Sequence, residues 1–415
     1  MGLREDADRI IHQAIEAVLP DQAVIRALKD LEMPQGRLYV VALGKAAWQM
    51  AKTAEQELHG KLEKGVVITK HGYAKGELEG FRIFEAGHPV PDDNSFAATR
   101  YAVAMAENLR EEDLVLLLVS GGGSSLFEIP ICKEESLQET TRQLLACGAD
   151  ITEINVIRKR ISAVKGGKFA RMCAPAKVYS IVLSDIIGSP LDMIASGPAY
   201  PDSSTSAMAW EIVKKYDLKL PEDVLALLDE ETPKQCDNVT TVVTGSVEEL
   251  CRAAAGCCAK LGYEPMVLTS SLNCIAREAG SFLAAIAREH RNTKKSLAFL
   301  AGGETVVQLT GKGMGGRNQE LALSAAEGIC GLENVAIFSV GSDGTDGPTD
   351  AAGGYVDGDT AKLLEQQGIK ISDVLQENDS YHALEVSHGL IRTGPTGTNV
   401  NDVACVLLRS DENDK

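Results

Sequence analysis

The 415 residues include 41 basic and 59 acidic side chains, a net charge of -18, with 44% hydrophobic and 24% charged residues. This is the composition of an ordinary globular protein, and its acidic balance excludes unspecific binding to nucleic acid or anionic membrane. No apolar run approaches the roughly 20 residues that span a bilayer, and ten cysteines without CxxC pairing give neither a zinc site nor a disulfide framework, as expected of reduced thiols in a cytoplasm.

The length favours two domains. The first stretch places Ile10, Ile11, Ala14, Ile15, Val18 and Leu19 on one helical stripe and is acidic where a signal peptide would be basic, so it reads as a docked surface helix. Leu38 to Leu43 is a continuous apolar strand followed at once by Gly44, Lys45 and a helix. Lys45 thus stands at a strand's carboxyl end, where open α/β sheets place ligands. A solvated surface lysine is the plainer reading, and a Walker A loop is excluded because Ala46 stands where Ser or Thr is required.

Strands follow at Gly65 to Thr69 and Arg82 to Glu85, the latter running into His88, which is held between Gly87 and Pro89 and reads as structural rather than as a base. Asp92 to Ser95 caps the next helix. The buried strand Asp113 to Val119 opens into Ser120, Gly121, Gly122, Gly123, Ser124 and Ser125. Three successive glycines flanked by hydroxyls favour a nest for a carboxylate or phosphate over a plain turn. Arg158, Lys159, Arg160, Lys165 and Lys168 form a basic run, ordinarily a solvated face, from which some cations reach an anion site. The strand Val178 to Leu183 ends at Asp185, a cap, a Mg²⁺ ligand or a general base.

The Pro- and Asp-rich segment Tyr200 to Lys234 marks the crossing to a second domain. The expected domains are 1–235 and 236–415, with the final strand free to return to the first. Beyond the boundary come strands at Val239 to Val243, Pro265 to Leu268, Ser296 to Leu300, Thr305 to Leu309, Val335 to Val340 and Val403 to Leu408. Between them lie Gly302, Gly303 and Glu304, then Gly311, Gly313, Gly315 and Gly316 ahead of a helix beginning Arg317, Asn318, Gln319. Glycines before a helix start let backbone N–H groups approach an anion, so this stretch reads as a phosphate-handling loop. Asp343 and Asp346 follow a strand without EF-hand spacing and serve as Mg²⁺ ligands or loop turns; Thr396 and Asn399 lie in a polar turn before the last strand. Clusters at so many strand ends suit a cleft between two α/β domains closing over a nucleotide and a small polar substrate.

The motifs VVALGKAA, SGGGSSLF, INVIRKRISAVKGGK, LSDIIGSPLDMIASGP, AGGETVVQLTGKGMGGRNQE, SVGSDGTDGPTDAAGG and GPTGTNVND, spread over nearly the whole chain, resemble the glycerate kinase family whose C-terminal half is the MOFRL domain. The resemblance implies two three-layer α/β domains with mostly parallel sheets, a Rossmann-like first and a MOFRL-type second, and an active site in the interdomain cleft. It also implies ATP-dependent phosphorylation of D-glycerate to 2-phosphoglycerate by direct in-line transfer, with Mg²⁺. Lys45, Asp185 and Arg317 fall on the family's proposed catalytic positions. Whether the chain is a homodimer stays open. The rival reading is a nicotinamide-dependent hydroxypyruvate or tartronate semialdehyde reductase, because Gly311, Gly313 and Gly316 spell G-x-G-x-x-G; the strand before them is short and no acidic residue ends the next strand at the required distance.

Overall fold

A computed structural model describes residues 2–184 and 191–410. They form two compact units, residues 23–183 with 191–244, and residues 2–22 with 184 and 245–410.

The first unit is built on a wholly parallel sheet of β1 (Leu38–Leu43), β2 (Leu62–Lys70), β3 (Phe81–Ala86), β4 (Leu114–Val119), β5 (Lys177–Val182) and β6 (Val239–Val243). The spatial order is β3-β2-β1-β4-β5-β6. β1 and β4 are buried along their whole lengths, as continuous apolar runs in a parallel sheet must be. Leu38, Val40 and Ala42 of β1 and Leu114, Leu116 and Leu118 of β4 pack on one face against Trp48, Met50 and Ala51 of the helix Ala47–Glu57. The strand order reverses between β1 and β4. In doubly wound sheets the connections then leave in opposite directions, opening a crevice beyond the carboxyl ends of those two strands.

The second sheet has the order β11-β10-β9-β12-β8-β7, with β7 (Glu264–Leu272), β8 (Leu297–Gly303), β9 (Val335–Gly341), β10 (Gly353–Asp357), β11 (Leu390–Ile391) and β12 (Asp402–Leu408). It is mixed. Four of its six strands point the same way, but β12 and β10 run against them, so only β7 and β8 pair in parallel. The expectation of a mostly parallel sheet therefore holds for strand directions and fails for the pairings. The cause is that the last strand of the sequence inserts antiparallel between β8 and β9, and β10 returns beside β9 after a loop too short for a crossover helix. Both faces are covered: Val403, Cys405 and Leu407 of β12 pack with Ile10, Ile11 and Leu250, while Ala404, Val406 and Leu408 pack with Leu283 and Leu321. This two-residue alternation is the pleat at work.

Three local expectations differ from the structure. Val239–Val243, expected beyond the domain boundary, is the edge strand of the first sheet, and the amino-terminal helix Leu3–Ala17 packs in the second unit. Residues 305–309 form no strand; Val306 makes one isolated bridge to Ile275. Lys159, Arg160 and Lys165 of the basic run are buried rather than solvated: Lys159 pairs with Asp192 and Asp202, Arg160 with Glu231, and Lys165 with Glu128.

Candidate active site

In the first unit two of the stretches expected to carry function, Lys45 and Ser120 to Ser125, meet at the reversal point. Gly44 leaves β1 with φ +115°, and its amide donates to Ile68 O at 3.1 Å. The amide of Lys45 then donates to Gly121 O at 2.9 Å and that of Ala46 to Ser120 Oγ at 3.1 Å, locking the ends of β1 and β4 together. A side chain on Gly44 would collide with Ser120, so only glycine allows this approach. The lysine side chain itself is exposed.

Of the SGGGSS stretch, Ser120, Gly123 and Ser125 are buried and support the turn, whereas Gly121, Gly122 and Ser124 are partly exposed. Gly122 has φ +86°, and a Cβ there would fall 3.0 Å from the His88 ring and 3.3 Å from Lys45 Cγ. Lys45, His88 and Gly122 are thus immediate neighbours. Burial first, then the Lys45 and Lys70 cations, push the His88 imidazole below its ordinary value, so it is neutral at pH 7.

In the second unit Arg317 begins the helix Arg317–Ala326, with Gly316 as its cap. Its Nε lies 2.5 Å from Asp402 Oδ2, its Nη2 3.0 Å from Asp402 Oδ1, and its Nη1 3.2 Å from Glu304 Oε1. Glu304 follows β8, and Asp402 opens the antiparallel β12, so both acids reach the same end of the sheet. Asn401 Nδ2 donates to Glu304 Oε2 at 3.2 Å. Burial raises the Asp402 carboxyl against the pull of Arg317.

Asp346 accepts the amide of Asn318 on Oδ1 at 3.2 Å and that of Gln319 on Oδ2 at 2.9 Å, capping the helix from the neighbouring loop. Its burial pushes the carboxyl up to about 6. Asp343 is partly exposed, and its Oδ1 accepts the Thr345 amide at 3.0 Å. Thr396 Oγ1 donates to Ser342 O at 2.6 Å, and Asn399 Oδ1 accepts the Asn401 amide at 3.3 Å, so the 394–402 turn closes over the end of β9.

Several expected ligand groups are engaged in close packing. Asn318 is buried, giving its amide to Asp346 and accepting from Ser339 Oγ at 2.6 Å. Gly302 makes room for Cys251 and Val247, Gly303 for Leu272, Gly315 for Ser380 and Gly316 for Asp346. Gly311 and Gly313 lie against the backbone of Glu377, with Asn378 Oδ1 accepting the Thr310 and Gly311 amides at 2.7 and 2.9 Å. The first two glycines of the G-x-G-x-x-G spacing therefore pack closely on residues 377–379, while the third, Gly316, packs on Asp346 at the helix start. Asp185 lies outside the described residues. Sequence reading gave Asp402 no role; the signal available was an acid opening an otherwise apolar buried strand.

Residues 6–229 match the family described as domain of unknown function DUF4147, and residues 297–402 match the MOFRL family. A Thermotoga maritima protein named D-glycerate 2-kinase is 50% identical over 413 residues, covering 98% of this chain and 99% of the relative. The chain belongs to the MOFRL-type glycerate kinase family. A crystal structure of a glycerate kinase from Thermotoga maritima superposes on this member of the family with a TM-score of 0.92 at 48% identity, over 98% of this chain and 99% of that one. An Agrobacterium vitis relative, 37% identical over 98% of this chain and 95% of its own length, is provisionally named a hydroxypyruvate reductase. For a glycerate kinase, an exposed lysine at the sheet reversal and an arginine at a helix start beside strand-end acids are suitable groups for handling a phosphoryl group.

Proposed function

We propose that the chain phosphorylates D-glycerate with ATP, giving 2-phosphoglycerate by direct in-line transfer. The observation that carries this reading is the 50% identity to a D-glycerate 2-kinase along essentially the full length of both chains. Phosphoryl transfer asks a protein mainly for positioning and for positive charge on the migrating group. Lys45 supplies that charge in the first unit. Arg317 supplies it in the second, its guanidinium held in orientation by Asp402. Glu304 is the weaker partner, because it is half exposed and gives up Nη1 to a phosphate oxygen at small cost. Asp185, at a position the family resemblance makes catalytic, takes the proton of the attacking hydroxyl or holds Mg²⁺.

Mg²⁺ is expected to arrive with the nucleotide, supplying neutralisation of the phosphate oxygens. Among the described residues no group of three or more His, Cys, Asp or Glu is arranged to hold a metal. Asp343 fits a single-carboxylate role better than Asp346, both of whose oxygens accept helix amides. Among the described residues no helix is long and apolar enough to cross a membrane, and a cytoplasmic location is part of this reading.

The test is an assay with D-glycerate, ATP and Mg²⁺, following ADP release and identifying the product by NMR, beside hydroxypyruvate with NADH. ADP release matched by 2-phosphoglycerate is the expected result. Formation of 3-phosphoglycerate would overturn the regiochemistry, and NADH consumption without ADP release would overturn the kinase.

A further inference from the structure

The helix Ile151–Ile161 carries three cations of the basic run, and one of them is unlike the rest. Lys159, Arg160 and the nearby Lys165 each have an acid partner. Arg158 has none among the described residues: its Nη2 reaches the carbonyl of Ser124 at 3.3 Å, and its Nε is shielded from solvent without any hydrogen-bond partner. A partly buried cation in this state favours an anion beside it.

The groups around it are also short of acceptors. Asn155, 2% exposed, has Met193 Sδ, at 3.8 Å, as the hydrogen-bond acceptor for its Nδ2 among the described residues. Ser196 Oγ lies 2.7 Å from Asn155 Oδ1 and 3.0 Å from Ser124 Oγ. A hydroxyl has one proton; with that of Ser196 given to Asn155, the Ser124 hydroxyl is the donor of the pair and can turn to an incoming oxyanion. Arg158 Nε and Asn155 Nδ2 are therefore under-used donors, and the Ser124 hydroxyl can exchange its bond to Ser196 for one to an oxyanion beside them.

The backbone that brings Ser196 here is strained. Ala195 and Ser196 sit at φ +52° and +60°, left-handed positions that non-glycine residues rarely take in succession. The amides of Gly166 and Gly167 hold them there through Ser196 O at 3.0 Å and Gly197 O at 2.8 Å, and Gly123 packs directly on Ala195. Strain maintained by surrounding contacts is typical of ligand clamps. Ser124 stands two residues beyond Gly122, the residue flanked by Lys45 and His88.

We propose that Arg158, Asn155 and Ser124, with Ser196 orienting them, form the binding site for the carboxylate of the acceptor substrate. This rests on the kinase reading and deepens it: the site selects a hydroxy acid over an uncharged polyol by its carboxylate. The other oxyanion such a site would take is a nucleotide phosphate, and the two sources are separated by kinetics.

The experiment compares the parent with Arg158→Ala, Arg158→Lys and Ser196→Gly, measuring KM for D-glycerate and for ATP separately, with glycerol as the acceptor lacking a carboxylate. Loss of a charge-assisted contact of this kind corresponds to about a hundredfold. Arg158→Ala should raise the glycerate KM by about a hundredfold while leaving that for ATP within about threefold, and erase most of the preference for glycerate over glycerol. Arg158→Lys should fall between, since it keeps the charge and loses the fork. Ser196→Gly keeps the left-handed backbone without strain, so it should melt no lower than the parent yet bind glycerate more weakly. A raised KM for ATP with that for glycerate unchanged would assign the site to phosphate and overturn the proposal, as would unchanged values for both. A parent enzyme that turns over no hydroxy acid would instead defeat the kinase reading itself.

Discussion

Arg317 and Asp402 form a two-point ion pair, Nε to Oδ2 at 2.5 Å and Nη2 to Oδ1 at 3.0 Å, with the Asp402 side chain only 9% exposed. The pair joins the first residue of a helix to the first residue of the last strand, which are 85 positions apart. Its geometry fixes the plane of the guanidinium while leaving its Nη1 side toward the exposed Glu304.

Two consequences of that pair can be separated. Arg317→Ala should reduce turnover by about a thousandfold, the scale of other arginines that act on a transferring phosphoryl group. It also strands a buried carboxylate, at about 3–5 kcal/mol. The double variant with Asp402→Asn should therefore recover most of the stability and none of the turnover. Asp402→Asn alone should lower kcat by about a hundredfold through misplacement of the guanidinium, with little change in KM. Equal kcat values for Asp402→Asn and the parent would show that the pair only holds the fold together.

Asp346 gives a pH signature. Its folded carboxyl is raised to about 6 from the ordinary 3.8, so between these values the folded state binds more protons than the unfolded one. Stability from this group is then fully present below about pH 4, falls as pH rises to about 6, and is constant above. The whole change is on the order of 3 kcal/mol. Urea unfolding of the parent and Asp346→Asn from pH 4 to 7 should show the parent losing ground to the variant across that window. Parallel stability profiles would refute the assignment.

The strands were legible where burial on both faces writes itself as an apolar run: Leu38–Leu43 stands where the sequence put it and Leu114–Val119 within one residue of it. The glycine-rich β10 and the two-residue β11 were not, since neither carries a periodic apolar signal. A glycine-dependent turn was legible at a strand end, where Lys45 follows β1 directly after Gly44 at φ +115°. What the sequence concealed was pairing at a distance. Lys159 and Arg160 read as solvated because their acids, Asp192, Asp202 and Glu231, lie 33 to 71 residues away. Asp402 and Ser196 gain their meaning only from partners brought up by the fold.

The buried pair of Lys165 and Glu128, 2.8 Å apart with side chains 0% and 1% exposed, tests that concealed layer. Removing one partner leaves a charge in the interior, and Lys165→Met alone should lower stability by about 3–5 kcal/mol. Lys165→Met with Glu128→Leu should recover most of the loss, because two apolar side chains of similar size need no counter-charge. Denaturant titrations of the four species give the coupling directly; additive losses would mean that the two charges do not stabilise each other.

Gly122 tests the link between backbone and catalysis in the first unit. At φ +86° an alanine there carries a left-handed penalty of about 1–2 kcal/mol, and its methyl would press on the His88 ring and the Lys45 stem, 3.0 and 3.3 Å away. The lysine stem is flexible and moves more readily than the ring, so its ammonium group is displaced from the end of β1. Gly122→Ala should therefore stay folded with a modestly lowered melting temperature while kcat falls by about a hundredfold, the scale of an ångström-sized misplacement. The comparison with Lys45→Ala is decisive: if Lys45 acts where Gly122 positions it, combining the two changes should reduce kcat no further than Lys45→Ala alone. Multiplicative losses would mean that the glycine serves the site through something other than this lysine.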